Sequence, residues 1–366
     1  MKKLIKDCVF TVENYKPGLP IEILQRKLCL EDDICKLASN ENPLGPSPLA
    51  LEAINKSLSD GHLYPDTNCY ELREKLSDFM GIPKNCLCVG NGTTELIYLI
   101  GVAFLDAGDT FIMSESSFIM GKITAQIMNA NLVQIPLKDF QHDLDSIWKA
   151  VSRDTKIVYL DNPMNPIGSM KDRHDIEHFM ERVPDDVIVV FDEAYYEYVN
   201  SGNYPDTLQY VKEGKNVIVL RTFSKLFGLA GLRVGYGAAH KEFIKAIKQV
   251  SPPFSVNRLA QIGAVAALED EDHIRKSIEV NESGKKFLYE KFKELSVFYI
   301  PSETNFVTLD VKTEANKIAE ELQKEGVIIR PLTMYGKPTF LRVTVGTLEQ
   351  NQKFVDAFRR LYNRAK

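Results

Sequence analysis

The chain has 366 residues, 44% of them hydrophobic and 26% charged, the balance of a soluble globular protein rather than a disordered, fibrous or disulfide-knotted one. Its 45 basic and 50 acidic residues give a formal net charge of -5, and Lys and Arg are scattered, so no basic stripe marks a nucleic-acid-binding face. No apolar run reaches the roughly 18 residues that a membrane span needs, and six cysteines spread over so long a chain suit reduced thiols in a cytoplasm.

The N-terminal MKKLIKDCVF starts basic, but Lys6 and Asp7 break its apolar stretch, and no secretory leader is expected from it. The first forty or so residues have no room in a central sheet and are expected to pack with the C-terminal lobe. Between about residues 85 and 250, short apolar runs alternate with amphipathic stretches. Strands are predicted at 110–113, 132–135, 156–160, 187–192, 216–220 and 233–237, with helical patterns between them, as at 94–104 and 176–183. Runs such as VIVVF and NVIVL are apolar on both alternations, which predicts an α/β fold with a mostly parallel central sheet between helices. Such sheets carry their chemistry in loops at the carboxyl ends of the strands. After residue 250 the pattern changes. A long helical region at 256–295 leads to strands at 305–309, 327–329 and 340–345. A helix at 314–324 has Thr313 as its expected N-cap and stops at Gly326, and the last helix opens with the capping box Thr347-x-x-Gln350. The chain is long enough to bury roughly three quarters of its extended surface. It divides into a large domain, 45–255, and a smaller α+β domain made from 1–44 and 256–366.

Four segments carry groups suited to chemistry. Gly90-Asn91-Gly92-Thr93-Thr94-Glu95 follows a short apolar run and opens a helix, where backbone N–H groups and the helix dipole suit a phosphate; with no Gly-Lys-Ser/Thr it is not a P-loop. Asn165 lies in the Pro-flanked turn NPMNPIG, a place that equally suits a plain turn asparagine. Asp192 ends VIVVF, where a carboxylate can hold a pyridine nitrogen protonated or merely cap a turn. Tyr195, three residues on, offers a phenol to a ring oxygen or a ring to the core. Lys225 follows NVIVL, so its amine reaches the same edge, where desolvation makes a usable nucleophile. Thr222 and Ser224 flank it with hydroxyls, and Arg233 adds a fork suited to a phosphate. Each segment is weak alone; in this order they meet the needs of one cofactor. No metal site is expected, because Cys86-x-Cys88 is too tight for zinc spacing and His174 and His178 lie on a charged, helical face without a third ligand.

SKLFGLAGLRVGY resembles the lysine signature of the fold-type I, class I/II aminotransferases that use pyridoxal 5'-phosphate (PLP). Asn165-Pro166-Ile167-Gly168 is similar to their Asn-Pro-Thr-Gly turn, and DEAY to their pyridinium-binding strand end. The resemblance covers nearly the whole chain. More narrowly, LASNENPLGPSP (37–48), Tyr64-Pro65-Asp66 and FLRVTVGT (340–347) resemble the histidinol-phosphate aminotransferase branch of that family. The resemblance implies PLP as cofactor and a role for each matching residue. Lys225 would bond the cofactor and carry the proton between substrate Cα and cofactor C4′. Asp192 would pair with the pyridinium, Asn165 and Tyr195 would bond the ring oxygen, and Phe118 would stack on the ring. The phosphate would be held by Thr93, Thr94, Thr222, Ser224 and Arg233, with Tyr64 from a neighbouring subunit. Arg342 would take a substrate carboxylate, and Arg330 with Tyr15 a substrate phosphate. The chain departs from the pattern at Thr94, where many relatives have Asp, at Ile167, which replaces Thr, and at Phe118, which lacks the hydroxyl found in some members.

The implied activity is a ping-pong transamination in which L-histidinol phosphate and 2-oxoglutarate give imidazole-acetol phosphate and glutamate, a step of histidine biosynthesis. The implied enzyme is a cytoplasmic homodimer whose partners are a small-molecule amino donor and a 2-oxo acid acceptor, with no nucleic acid and no membrane. An aromatic amino-acid aminotransferase or a threonine-phosphate decarboxylase would use the same lysine–aspartate pair and differ in which Cα bond stands perpendicular to the ring. A regulatory protein on this fold would carry a DNA-binding segment, for which nothing here has the length or basic character. A nucleotide-dependent dehydrogenase would need Gly-x-Gly-x-x-Gly after a first strand, and the chain has none.

Overall fold

The computed structural model describes residues 4–12 and 34–365. In chain order a short strand β1 (Cys35–Lys36) precedes the strands of a seven-stranded sheet: β2 (Leu87–Gly90), β3 (Thr110–Ser114), β4 (Asn131–Ile135), β5 (Thr155–Asp161), β6 (Ile188–Asp192), β7 (Val217–Thr222) and β8 (Gly235–Ala239). Their spatial order is β2-β8-β7-β6-β5-β3-β4. From β7 to β4 every neighbouring pair is parallel, and β8 runs antiparallel between β7 and β2. β3, β6 and β7 are buried at every residue, as two-sided apolar runs require. The alternation sorts them onto two faces. Val158, Leu160, Val189 and Phe191 join one core with helices Tyr70–Met80 and Arg173–Met180. Ile157, Tyr159, Ile188 and Val190 join the opposite core with helices Thr93–Phe104 and Lys241–Val250. β8 begins two residues later than the sequence predicts, because Arg233 takes a left-handed conformation (φ 59) that no strand accommodates.

Five further strands follow among the described residues: β9 (Phe298–Ile300), β10 (Phe306–Asp310), β11 (Val327–Ile328), β12 (Arg330–Pro331) and β13 (Phe340–Thr344). Four of them form an antiparallel sheet in the order β12-β13-β10-β9, while β11 pairs in parallel with β1. The expected strand 327–329 is β11, one residue shorter, and a second short strand, β12, follows it with a different partner. The core beneath this sheet gathers Leu37, Phe292, Ile318, Leu322, Phe354 and Phe358. Residues 256–295 form two helices, Arg258–Leu268 and Glu271–Glu294, because Asp270 breaks the run and caps the second by accepting from His273 N–H at 3.1 Å. The first of the two packs with the large-sheet core through Ala260, Ala264 and Ala267. The helix Ala315–Lys324 is preceded by Glu314, not by Thr313, and has no side-chain cap. The capping box does form: Thr347 N–H donates to Gln350 Oε1 at 2.9 Å and Gln350 N–H to Thr347 Oγ1 at 3.3 Å. Of the N-terminal segment, β1 joins β11, whereas residues 7–10 lie against the helix Ile119–Ile127 beside the large sheet, where Cys8 Sγ donates to Ile127 O at 3.5 Å.

Candidate active site

The parallel strands bring their carboxyl ends to one edge. Asp161 of β5 stands opposite Asp192 of β6, and Asp192 opposite Leu220 of β7, two residues before Thr222. A cleft of about 220 Å³ opens there. It is lined by ten of the residues singled out in the sequence: Thr93, Thr94, Phe118, Asn165, Asp192, Tyr195, Thr222, Ser224, Lys225 and Arg233.

Lys225 Nζ donates to Ser39 O at 3.1 Å. Burial pushes its amine down to about 7, helped by the positive charge of Arg342 and opposed by Glu41. A substantial neutral fraction at neutral pH makes it a nucleophile and a proton acceptor. Asp192 is buried, which raises its carboxyl to about 6, while the Tyr159 O–H (2.6 Å to Oδ2) and the Ala194 N–H (3.2 Å to Oδ1) favour the anion. Burial holds the Tyr195 phenol above its ordinary range, so it keeps its proton; its oxygen accepts from Asn40 Nδ2 at 2.8 Å, which leaves the O–H to donate into the cleft. Asn165 Oδ1 accepts from Arg342 Nη1 at 2.6 Å, so its NH₂ end is the one left for a ligand.

At the other end of the cleft lies an anion cradle. The helix Thr93–Phe104 points its N-terminus there, preceded by Gly92 at φ 82. A Cβ on Gly92 would fall 2.5 Å from Arg233 Nη2, and one on Gly235 would fall 2.6 Å from Thr93 N, so the guanidinium, β8 and the helix start are as close as glycine permits. Arg233 Nη1 donates to Ala230 O at 3.0 Å and to Ser224 Oγ at 3.4 Å, and Ser224 N–H donates to Thr222 Oγ1 at 3.1 Å. An amine, a buried carboxylate, two ring-oxygen donors and a phosphate cradle are the donor set that PLP needs, and the residues present fit it.

Other predicted residues lie elsewhere. Tyr64 is 80% exposed and stacks on Phe254 at 4.7 Å, away from the cleft of its own chain. Arg342 does not line the cleft but bonds Asn165 and lowers the Lys225 amine by its charge; its Nη2 donates to Ala38 O at 2.7 Å and its guanidinium lies over the Phe306 ring. Arg330 faces Arg342 across the β12–β13 register and donates to Met334 Sδ. Tyr15 lies outside the described residues. Sequence reasoning missed Asp161 and Tyr159, and gave no role to Ser39–Glu41 although 37–48 carried part of the resemblance; Asp161, Ser39 and Glu41 line the cleft and Tyr159 bonds Asp192 in it. The signal for Asp161 was present: it ends KIVYLD just as Asp192 ends VIVVFD.

Fold and cleft together define a PLP enzyme of fold type I. A family model described as aminotransferase class I and II matches residues 32–358. A histidinol-phosphate aminotransferase of Moorella thermoacetica is 43% identical over 97% of this chain and 92% of its own length, and histidinol-phosphate aminotransferase 1 of Nitrosococcus oceani is 44% identical over 93% and 92%. Among solved structures, a histidinol-phosphate aminotransferase of Sinorhizobium meliloti in complex with pyridoxal-5'-phosphate superposes with a TM-score of 0.89 at 25% identity, covering 99% of this chain and 98% of that one. An aspartate aminotransferase of Thermus thermophilus with maleate shares the fold, with a TM-score of 0.84 at 20% identity over 98% and 99%. The chain belongs to the class I and II aminotransferases, and PLP is its cofactor. Among the described residues no helix is long and apolar enough to cross a membrane.

Proposed function

We propose that the enzyme passes the amino group of L-histidinol phosphate to 2-oxoglutarate, giving imidazole-acetol phosphate and glutamate in a ping-pong course. The observation that carries the reaction type is the convergence of the Lys225 amine and the Asp192 carboxylate on one cleft with a phosphate cradle at its end. The names of relatives matched along nearly their whole lengths support the choice of amino donor.

Bound PLP supplies an electron sink for the bond that breaks at the substrate Cα. Lys225 holds the cofactor and moves the Cα proton, a task suited to an amine whose basicity burial has brought near neutral pH. Asp192 keeps the ring nitrogen protonated, and Tyr195 and Asn165 donate to the ring oxygen. Phe118 excludes water from one ring face. Thr93, Thr94, Thr222, Ser224 and Arg233 hold the phosphate. Arg342 and Arg330, with Tyr15, receive the substrate's anionic groups; the guanidinium fork fits phosphate and carboxylate alike, which lets one site take both substrates in turn. Two copies form the active unit, each lending Tyr64 to the other's cradle, in keeping with its exposure on its own chain. The enzyme works in the cytoplasm, where the thiols of Cys8, Cys69, Cys86 and Cys88 remain reduced.

The test is the cofactor's absorption spectrum. Adding L-histidinol phosphate without any oxo acid should convert the spectrum, and 2-oxoglutarate should restore it. A spectrum indifferent to this amine would discard the substrate. Lys225→Ala should abolish steady turnover; near-normal turnover in that variant would remove the lysine from its role.

A further inference from the structure

Asp161 ends β5 beside Asp192 and is 2% exposed, yet none of the roles above uses it. Its Oδ2 accepts two backbone N–H groups, that of Phe118 at 3.1 Å and that of Asn165 at 2.9 Å. The two donors come from different parts of the chain: Phe118 precedes the helix Ile119–Ile127 after β3, and Asn165 sits in the turn after β5. Asp161 is itself held from behind. His142, also 2% exposed, places Nε2 3.0 Å from the Asp161 carbonyl oxygen and Nδ1 2.7 Å from Ser114 Oγ. Burial pushes His142 down to about 4, so the ring is neutral at working pH and carries one N–H. Its hydrogen serves the carbonyl, which accepts only, and Ser114 donates to Nδ1. A side chain that only filled space at this depth would be apolar, since a buried carboxyl without partners is costly.

We infer that Asp161 is a positioning residue of the cofactor cleft: by accepting from both Phe118 and Asn165, its carboxyl fixes the aromatic ring that stacks on the cofactor relative to the amide that bonds the cofactor's ring oxygen. Asp161 acts this way only if PLP occupies this cleft, as read above.

The test uses the full-length protein stripped of cofactor and titrated with PLP, followed by quenching of its intrinsic fluorescence and by the circular dichroism that the bound cofactor acquires. Asp161→Asn keeps an acceptor oxygen and should bind PLP within about threefold of wild type, with the same induced signal. Asp161→Ala removes the acceptor of both N–H groups and should bind about tenfold or more weakly, the scale of one or two net hydrogen bonds. Its induced signal should also change, because ring and amide no longer hold their relative places. Should the alanine variant not fold, Asp161→Ser, too short to span both N–H groups, takes its place with the same expectation. An alanine or serine variant that matches wild type in affinity and signal overturns the role, as does an asparagine variant as weak as alanine. A wild-type protein that fails to take up PLP would instead sink the cofactor reading on which the role depends.

Discussion

Replacing Tyr159 by Phe isolates the control that the protein exerts on Asp192. The Tyr159 ring is buried and packs on Phe111 with centroids 6.2 Å apart, a contact that Phe preserves. Its O–H, held well above the usual phenol range by burial, donates to Asp192 Oδ2 at 2.6 Å. A hydrogen bond to a charged group contributes about 1.5–3 kcal/mol, and one pKa unit corresponds to about 1.4 kcal/mol. Loss of the donor should therefore lift the Asp192 carboxyl, already at about 6 through burial, by about one to two units. The ring nitrogen needs the ionised carboxylate. In wild type that form is lost as pH falls through about 6; in the variant it is lost as pH falls through about 7 to 8. PLP affinity of the cofactor-free protein, measured from about pH 5.5 to about 9, reads the difference. The Lys225 amine, at about 7, shapes both profiles alike, so the gap between them reports Asp192. The variant should match wild type at high pH and bind about two- to tenfold more weakly near pH 7. Superimposable profiles would refute the claim that Tyr159 tunes this carboxylate.

Three other perturbations probe the frame. Gly235→Ala would set a Cβ 2.6 Å from Thr93 N and 2.9 Å from Gly92 C, backbone atoms that cannot swing aside; it should lower unfolding free energy by about 1–3 kcal/mol and weaken PLP binding, and unchanged denaturant midpoint and affinity would contradict the packing described. Arg221→Met leaves Glu193 buried without its cation, since Arg221 Nε and Glu193 Oε2 lie 2.9 Å apart with 5% and 0% of their side chains exposed; a loss of about 3–5 kcal/mol in chemical denaturation is expected, and one below about 1 kcal/mol would mean that Thr207 and Tyr204 suffice for Glu193. Asp161→Asn should change how stability responds to pH. Burial raises the Asp161 carboxyl from 3.8 to about 8, so the folded state holds its proton more tightly, and the stability this gives is full below about pH 4 and lost as pH rises to about 8. The amide does not titrate, so relative to wild type the variant should gain at least about 1 kcal/mol between pH 5 and pH 8; parallel stability curves would contradict that ionisation.

Much of the site could be read from the chain because a parallel sheet points every carboxyl end the same way. Once KIVYL, VIVVF and NVIVL are strands, the residues that follow them must share an edge, and Asn165, Asp192 and Lys225 meet there. What stayed hidden depends on contacts between distant segments. The link from Arg342 to Asn165 and to Ala38 O requires β13, the turn after β5 and the N-terminal segment to meet, and no local pattern encodes that meeting. β9 is three residues long, and its burial rises from exposed Phe298 to buried Ile300 instead of alternating. Asp161 escaped notice because an aspartate before Asn-Pro reads as a turn former; only its burial under two N–H donors separates it from one. Strand 327–329 ends early and β12 follows as a separate strand because β11 pairs with β1 and β12 with β13, and residues 35–36 carry too little pattern to foretell a strand.

Asp161 and Asp192 show why residue type at a strand end does not settle its chemistry. They are adjacent in register, equally buried and identical in structure. Two anions so placed in a desolvated edge would repel, so one must yield its charge. The surroundings decide which. Asp192 has the Tyr159 phenol on one oxygen and the positive charge of Lys225 nearby, and it rises only to about 6. Burial carries Asp161 to about 8 even against the Ser117 hydroxyl and two N–H donors, because the charge of Asp192 adds to it and the His142 beside it is neutral. At neutral pH the edge therefore holds one carboxylate and one carboxylic acid. The charged one is available to a protonated ring nitrogen, while the neutral one can fasten Phe118 and Asn165 without competing for that cation.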